Sequence, residues 1–203
     1  MKQFKILILC LMVMSFLATG LILNAQEQYK EEQEMQKKWM EYSTPGPNHK
    51  YLESFIGEWD AASKIWMNAG SQPIPSKAEM KGKMILGGRY YKYSYENDFM
   101  GMPMKGLSII GYDNFNKEFF TLWIDNMSTG MVTTRGTLDK TGKIRTETGL
   151  WDDIISGGKN KVKIITRTID EDKFIFEMYM SGGSYGDKEF KSMEITYTRK
   201  KQE

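Results

Sequence analysis

Few side chains in this sequence combine a reactive type with a spacing that could support chemistry. Asp125, Glu147 and Glu177 could supply a general acid and a general base, the two groups that proton transfer needs. Asp125 is the strongest of them: it ends a strand-like segment beside Ser128 and Thr129, where a rim site or an Asx-type turn would each use it. Arg135 would be its partner for an enzyme working near a barrel mouth; it alternates with Thr133 and Thr137, and its face stays open. Arg145 and Glu147 fall opposite Thr146 and Thr148, and Glu177 and Tyr179 fall opposite the Phe176 face. Both pairs read as exposed cross-strand pairs. Met100, Met102 and Met104 place thioethers at alternate positions, with Met127 and Met131 further on; soft thioethers select Cu(I). A site of methionine alone is uncommon, so a deformable apolar rim is the preferred reading. His49, the only histidine, could hold a metal or haem iron, but it lies beside prolines ahead of the first strand with no second ligand near it. A cap or a solvent position suits it better. No Gly-rich phosphate loop opens a helix. These residues therefore assign no catalytic group, no metal ligand and no cofactor.

What would position them follows from the chain's patterning. Lys2 and Lys5, an apolar run from Ile6 to Leu23 and then Asn24-Ala25-Gln26 read as a secretory signal cleaved after Ala25, which predicts a secreted or periplasmic protein. An uncleaved membrane anchor is the alternative for a run of this length. Cys10 is the only cysteine and lies inside the run, so residues 26–203 have no disulfide partner. Without Lys2 and Lys5 the 28 basic residues become 26, equal to the 26 acidic ones. A neutral chain lacking a basic cluster is not expected to bind nucleic acid or an anionic membrane surface. Oligomeric state is not legible.

Glu27 to Tyr42 carries Met35, Trp39 and Tyr42 at helical spacing, and Glu34 precedes Lys38 by four residues. It predicts one amphipathic helix with a narrow apolar stripe, packed outside the main domain or left mobile, with a lid as the functional alternative. Ser43-Thr44-Pro45-Gly46-Pro47 breaks it. Asn48 then offers an N-cap to a short helix with Leu52, Phe55 and Ile56 on one face and Gly57 as its stop. Beyond Gly57, nine turn signals leave ten strands: Asn68-Ala69-Gly70, Gly87-Gly88, Asn97-Asp98, Asp113-Asn114, Ser128-Thr129-Gly130, Asp139-Lys140-Thr141-Gly142, Gly157-Gly158, Asp170-Glu171-Asp172 and Gly182-Gly183. No segment can serve as a βαβ crossover, so a parallel sheet is excluded.

Alternation assigns the faces. Between Lys77 and Met84 the charges take odd positions and the small or apolar side chains even ones. Tyr91, Tyr93 and Tyr95 share a face, as do Phe174, Phe176, Met178 and Met180, and as do Met193, Ile195, Tyr197 and Arg199. One wet and one dry face per strand describes a single wall around an interior. Ten strands closed into a barrel leave more space than eight, whereas a two-sheet sandwich would fill it.

Three stretches carry a family resemblance: Pro45-Gly46-Pro47-Asn48-His49 with Gly57-Glu58-Trp59; Leu86-Gly87-Gly88-Arg89-Tyr90 leading to Met100-Gly101-Met102-Pro103; and Gly111-Tyr112-Asp113 with Trp123 to Gly130, closed by Met193 to Tyr197. Together they resemble an uncharacterised bacterial domain-of-unknown-function family related to the calycin (lipocalin-like) barrels. The resemblance implies a fold and no reaction. It implies an all-β, about ten-stranded antiparallel up-and-down barrel, preceded by an N-terminal helix and a short closing helix. It also implies that Trp59 lies under the barrel floor with Arg199 stacked across it. The expected organisation is a signal peptide at 1–25, the helix and Pro/Gly linker at 26–47, and the barrel at 48–203. A small apolar or amphipathic molecule is the expected partner. Tyr91, Tyr93, Tyr95, Phe176, Met178, Ile195 and Tyr197 would line the wall, with Thr134, Thr148 and Thr166 as sparse polar anchors.

Overall fold

Nine connections divide the chain after Gly57 into ten strands, each antiparallel to its sequence neighbours. The strands are β1 (Gly57–Ile65), β2 (Ile74–Ile85), β3 (Tyr90–Phe99), β4 (Met102–Asp113), β5 (Glu118–Asp125), β6 (Val132–Leu138), β7 (Ile144–Asp153), β8 (Gly158–Asp170), β9 (Lys173–Ser181) and β10 (Phe190–Arg199). β10 returns to pair with β1 from Trp59↔Arg199 to Ile65↔Met193, so the sheet is a closed up-and-down barrel with no free edge. The computed structural model describes residue 24 and residues 26–201. Apart from residue 24, the expected signal segment, with Cys10, lies outside the described residues. Among the described residues no helix is long and apolar enough to cross a membrane.

The described residues fall into two units, one ending at Thr44 and one beginning at Pro45. In the first, helix α1 (residues 26–43) exposes Met35 and Trp39, and the Trp39 and Tyr42 rings lie 6.0 Å apart. In the second, helix α2 (Pro47–Glu53) leads into the barrel. Its N-cap is Gly46 rather than Asn48, because Pro47 lacks an amide hydrogen and already has helical φ, which suits the first turn. Leu52 and Phe55 are buried, whereas Ile56 is exposed, against expectation. The helix has ended by then, at Glu53, and the chain is turning into β1.

Turn chemistry matches the strand ends with one exception. The β3–β4 turn is Met100-Gly101, with φ of 55° and 83°, and Asn97-Asp98 remain within β3. A tight hairpin needs positive φ at both central residues. Asp98 supports this one by accepting a hydrogen bond from the Gly101 amide at 2.6 Å. A register shift between Lys191 and Met193 marks a bulge in β10, and it lets Phe190 and Met193 both pack against the interior.

Even positions of β2 and odd positions of β1 and β3 point inward, giving a core of Trp59, Ala61, Ala78, Met80, Tyr91 and Tyr95. A smaller cluster of Val162, Ile164 and Met180 stands on β8 and β9.

Candidate functional site

One end of the barrel is shut by a network that begins with the carbonyls left over where α2 ends. A helix C-terminus leaves carbonyls without partners, and burying them unpaired would be costly. Here Arg199 donates through Nη2 to Ser54 O at 2.8 Å and through Nη1 to Ile56 O at 2.5 Å. The Phe55 carbonyl accepts from Trp59 Nε1 at 3.0 Å and from the Tyr91 hydroxyl at 2.8 Å. Arg199 also holds the Glu171 carbonyl in the β8–β9 turn, and its guanidinium carbon lies 4.1 Å from the Trp59 ring centre. Phe174 meets Trp59 edge-on at 4.9 Å and stacks on Tyr197 at 4.3 Å. Gly57 makes this approach possible: its φ is 118°, and a Cβ would sit 3.1 Å from Arg199 Nη1.

His49 belongs to the same end. Its Nδ1 accepts the Gly46 amide hydrogen at 3.0 Å, its ring lies edge-on to Tyr112 at 5.8 Å, and it is buried. Burial holds its pKa below the ordinary histidine range. It caps α2. Among the described residues no group of three His, Cys, Asp or Glu side chains is placed to hold a metal ion.

Above the floor the interior is not purely apolar. Arg145 and Glu147, two residues apart on β7, both point inward and are 4% and 1% exposed. This corrects the expectation that they form an exposed pair. Arg145 Nε lies 3.1 Å from Glu147 Oε2, and Thr121 donates to Glu147 Oε1 at 2.8 Å. The guanidinium carbon of Arg145 is 5.6 Å from the Phe119 ring centre. Burial is the largest influence and works against the arginine's charge, but the Glu147 carboxylate together with the Tyr51, Tyr93 and Tyr91 hydroxyls leaves the Arg145 pKa raised. Beyond that ion pair, Arg145 Nη1 and the buried Thr134 Oγ1 have no hydrogen-bond partner. A cavity of about 30 Å³ lies beside Arg145, bounded also by Thr166, Tyr91, Tyr93, Met80 and Phe174. Burial pushes the Tyr93 hydroxyl pKa up to about 12 and raises those of Tyr91, Tyr95 and Tyr197, so all four remain neutral donors.

The expected wall residues divide in three ways. Tyr91, Tyr95, Ile195 and Tyr197 are buried inward, and Thr134 and Thr166 join them at 2% and 3% exposure. Tyr93, Phe176 and Met178 point inward but stay partly accessible. Thr148 is exposed on the outer face, in register with Arg135 and Lys163. It does not line the wall, because Arg145, Glu147, Gly149 and Trp151 take the inward positions of β7. Trp151 on that parity was the one signal available in the sequence. Charge on Arg145 and Glu147 was read as a mark of the outside, and their mutual neutralisation was invisible without the fold.

The proposed acid/base partners are separated. Asp125 ends β5 at the open end, where Oδ2 accepts from Trp123 Nε1 at 2.7 Å and Oδ1 from the Met127 amide at 3.0 Å. Arg135 faces outward near the closed end, 2.6 Å from Glu118 Oε1. No chemistry can pass between them. Glu177 keeps the outward parity but is buried rather than exposed, covered by Arg167 at 3.0 Å and Lys191 at 2.5 Å. Met100, Met102, Met127 and Met131 are exposed at the open end. Asn126 ties these loops together, accepting from the Lys105 amide and donating to the Pro103 carbonyl.

A family model described as a protein of unknown function, DUF1579, matches residues 44–199. No curated protein matches the chain. Among solved structures, the crystal structure of Rv2717c from M. tuberculosis superposes with a TM-score of 0.55 at 12% identity, covering 78% of this chain and 100% of that one. That similarity concerns the fold alone. A redesigned β-barrel aligns with a TM-score of 0.39 at 13% identity over 74% of this chain and 96% of its own.

Proposed function

The chain belongs to the DUF1579 family, whose function is unknown, and from that premise we propose that it is an exported barrel that holds a small apolar or amphipathic molecule in its interior. One observation carries this reading. The end near Trp59 is sealed, while inward-facing Tyr93, Trp123, Val132, Phe176, Met178 and Met193 keep solvent accessibility. Accessible aromatic and thioether side chains on an inward face are the usual lining of a small-molecule site. Tyr93 and Tyr95 flank the Trp123 ring at 6.2 and 6.1 Å, and Asp125 fixes that indole through its N–H, so this part of the wall is preorganised. Tyrosine and tryptophan supply large contact area with a polar tip, which suits a ligand that is apolar along most of its length.

Export is part of the proposal. It rests on the lysines, apolar run and small residue that open the sequence, and N-terminal sequencing of the mature protein tests it.

The container reading is tested by native mass spectrometry of the purified protein together with titration by an environment-sensitive apolar dye. The expected results are a co-purified apolar molecule, or saturable dye binding that quenches tryptophan emission and falls in Trp123→Ala. Absence of both a co-purified molecule and saturable binding overturns it.

A further inference from the structure

An up-and-down barrel sends every second connection to the same end, so the five that follow β1, β3, β5, β7 and β9 encircle the open mouth. Each of them exposes a large apolar side chain: Met67, Met100, Met127, Ile154 with Ile155, and Tyr185. The two isoleucines, 94% and 83% exposed, stand in the β7–β8 turn. Apolar residues scattered singly over a surface are ordinary. One on every connection around a single opening is not. At the sealed end, the turns after β6 and β8 carry only polar residues and a glycine.

The tips are held from beneath. Buried Asp153 accepts from the Ile155 amide at 3.0 Å, the Ser156 amide at 3.2 Å and Ser156 Oγ at 2.6 Å. It also accepts from the Ser184 amide at 2.5 Å, which ties the isoleucine turn to the β9–β10 connection. The Trp66 amide donates to Ser192 O at 2.9 Å and fixes the β1–β2 connection to β10. Asn126 anchors the β5–β6 connection to Pro103 and Lys105. Side chains placed in advance lose little conformational freedom when they meet a partner.

Charge and shape together decide what covers them. Cations near this rim are paired with carboxylates: Lys64 with Glu194, Lys105 with Glu96, Lys159 with Asp152 and Lys163 with Glu189. Such a belt suits a zwitterionic surface and offers little to an anionic one. Projections on five separate turns around a mouth do not form the continuous packed patch of a protein interface. A bilayer surface is deformable, so each tip can enter it independently, to a depth of about 5–10 Å.

We propose that the open end docks on a zwitterionic lipid bilayer, with Met67, Met100, Met127, Ile154, Ile155 and Tyr185 inserted among the head groups. Docking concerns the outside of the mouth and does not depend on what the interior holds. A bilayer is also the phase in which apolar and amphipathic molecules concentrate.

Cosedimentation of the full mature protein with phosphatidylcholine vesicles tests this. The wild type is expected to bind, with an affinity that changes less than about twofold between about 50 and about 500 mM salt, because no charge attraction drives it. Ile154→Ser/Ile155→Ser is expected to weaken binding at least about tenfold. Met127→Ser/Met131→Ser, on another connection, should act in the same direction, and thermal melts check that both variants remain folded. Met35→Ser/Trp39→Ser on α1 and Leu86→Ser/Phe115→Ser at the sealed end should leave binding unchanged. Failure to bind phosphatidylcholine, binding to phosphatidylglycerol vesicles alone, undiminished binding by the isoleucine variant, or loss of binding in the α1 or sealed-end variant overturns the proposal. A dimer in sedimentation equilibrium that Ile154→Ser/Ile155→Ser dissociates would make a second copy the occupant, and overturns it too. Apolar dye binding in solution by the isoleucine variant should match the wild type, so the container reading stands or falls by its own titration.

Discussion

Arg199 lies over the face of Trp59, its guanidinium carbon 4.1 Å from the ring centre, and the two residues are register partners where β10 closes onto β1. The pairing joins the first and last strands, and the same guanidinium also bonds Ser54, Ile56 and Glu171 carbonyls. A cation over an indole contributes about 0.5–2 kcal/mol, depending on how far it is desolvated. The carbonyl bonds add to this, because without Arg199 those oxygens would have to find water.

Replacing Arg199 should therefore cost more than a surface charge. Arg199→Ala is expected to destabilise by about 2–4 kcal/mol, and Arg199→Lys by about 1–2 kcal/mol, since an ammonium cannot span three carbonyls in one plane. Urea denaturation followed by tryptophan emission measures both. Losses below about 0.5 kcal/mol for Arg199→Ala would mean that the seam is held elsewhere.

The Tyr91 hydroxyl is the second partner of the Phe55 carbonyl and fits only because residue 82 is glycine, where a Cβ would overlap the tyrosine ring. Tyr91→Phe should cost about 1–2 kcal/mol by deleting a buried bond. Gly82→Ala should cost more, because the ring itself must leave its place and the cavity beside it changes. Thermal melts of the two variants give the order, and a milder effect for Gly82→Ala would contradict the packing described.

Arg145 and Glu147 invite a double-mutant cycle. Either residue replaced singly by methionine leaves an unpaired buried charge and is expected to lose about 3–5 kcal/mol. The two replacements together should cost far less than their sum and could even stabilise, as apolar substitutes for buried ion pairs often do. Additive losses in chemical denaturation would mean that the two side chains do not face each other.

His49 makes stability depend on pH in a defined sense. Burial lowers its folded-state pKa, so above the unfolded value of about 6.5 the ring is neutral in both states and the cap on Gly46 is intact. As pH falls below about 6.5 the unfolded chain takes up the proton first, and stability declines until the folded-state pKa is passed. His49→Gln should lack this component of the slope. Parallel denaturation curves at pH 7 and pH 5.5 check it; equal pH dependence in both proteins would show that the imidazole is free to ionise in place.

Much of the barrel was legible because strands of a single-layer wall alternate strictly. Tyr91-x-Tyr93-x-Tyr95 and Phe174-x-Phe176-x-Met178-x-Met180 announce an inward face, and eight of the nine turn signals fall at or beside strand ends. The rule failed on β7, where the inward row is Arg145, Glu147, Gly149 and Trp151. There polarity suggested the outside, and Thr148 was given the place that Glu147 holds. It also failed to separate Asp125 from Arg135, since residues ten apart in sequence can stand at opposite ends of adjacent strands.

The amino-acid order alone determines an all-β chain with a helical lead-in, ten strands and their facing, because those follow from local sterics and from the period of apolar residues. Only the closed structure decides what the interior holds. Whether a charge can live inside depends on neighbours from distant strands: Glu147 stands between Gly136 and Ile164 in the sheet and is met by Thr121 and Arg145. The free energy of a buried charge is set by those partners and by the water they exclude, and neither is written in the residues that flank it.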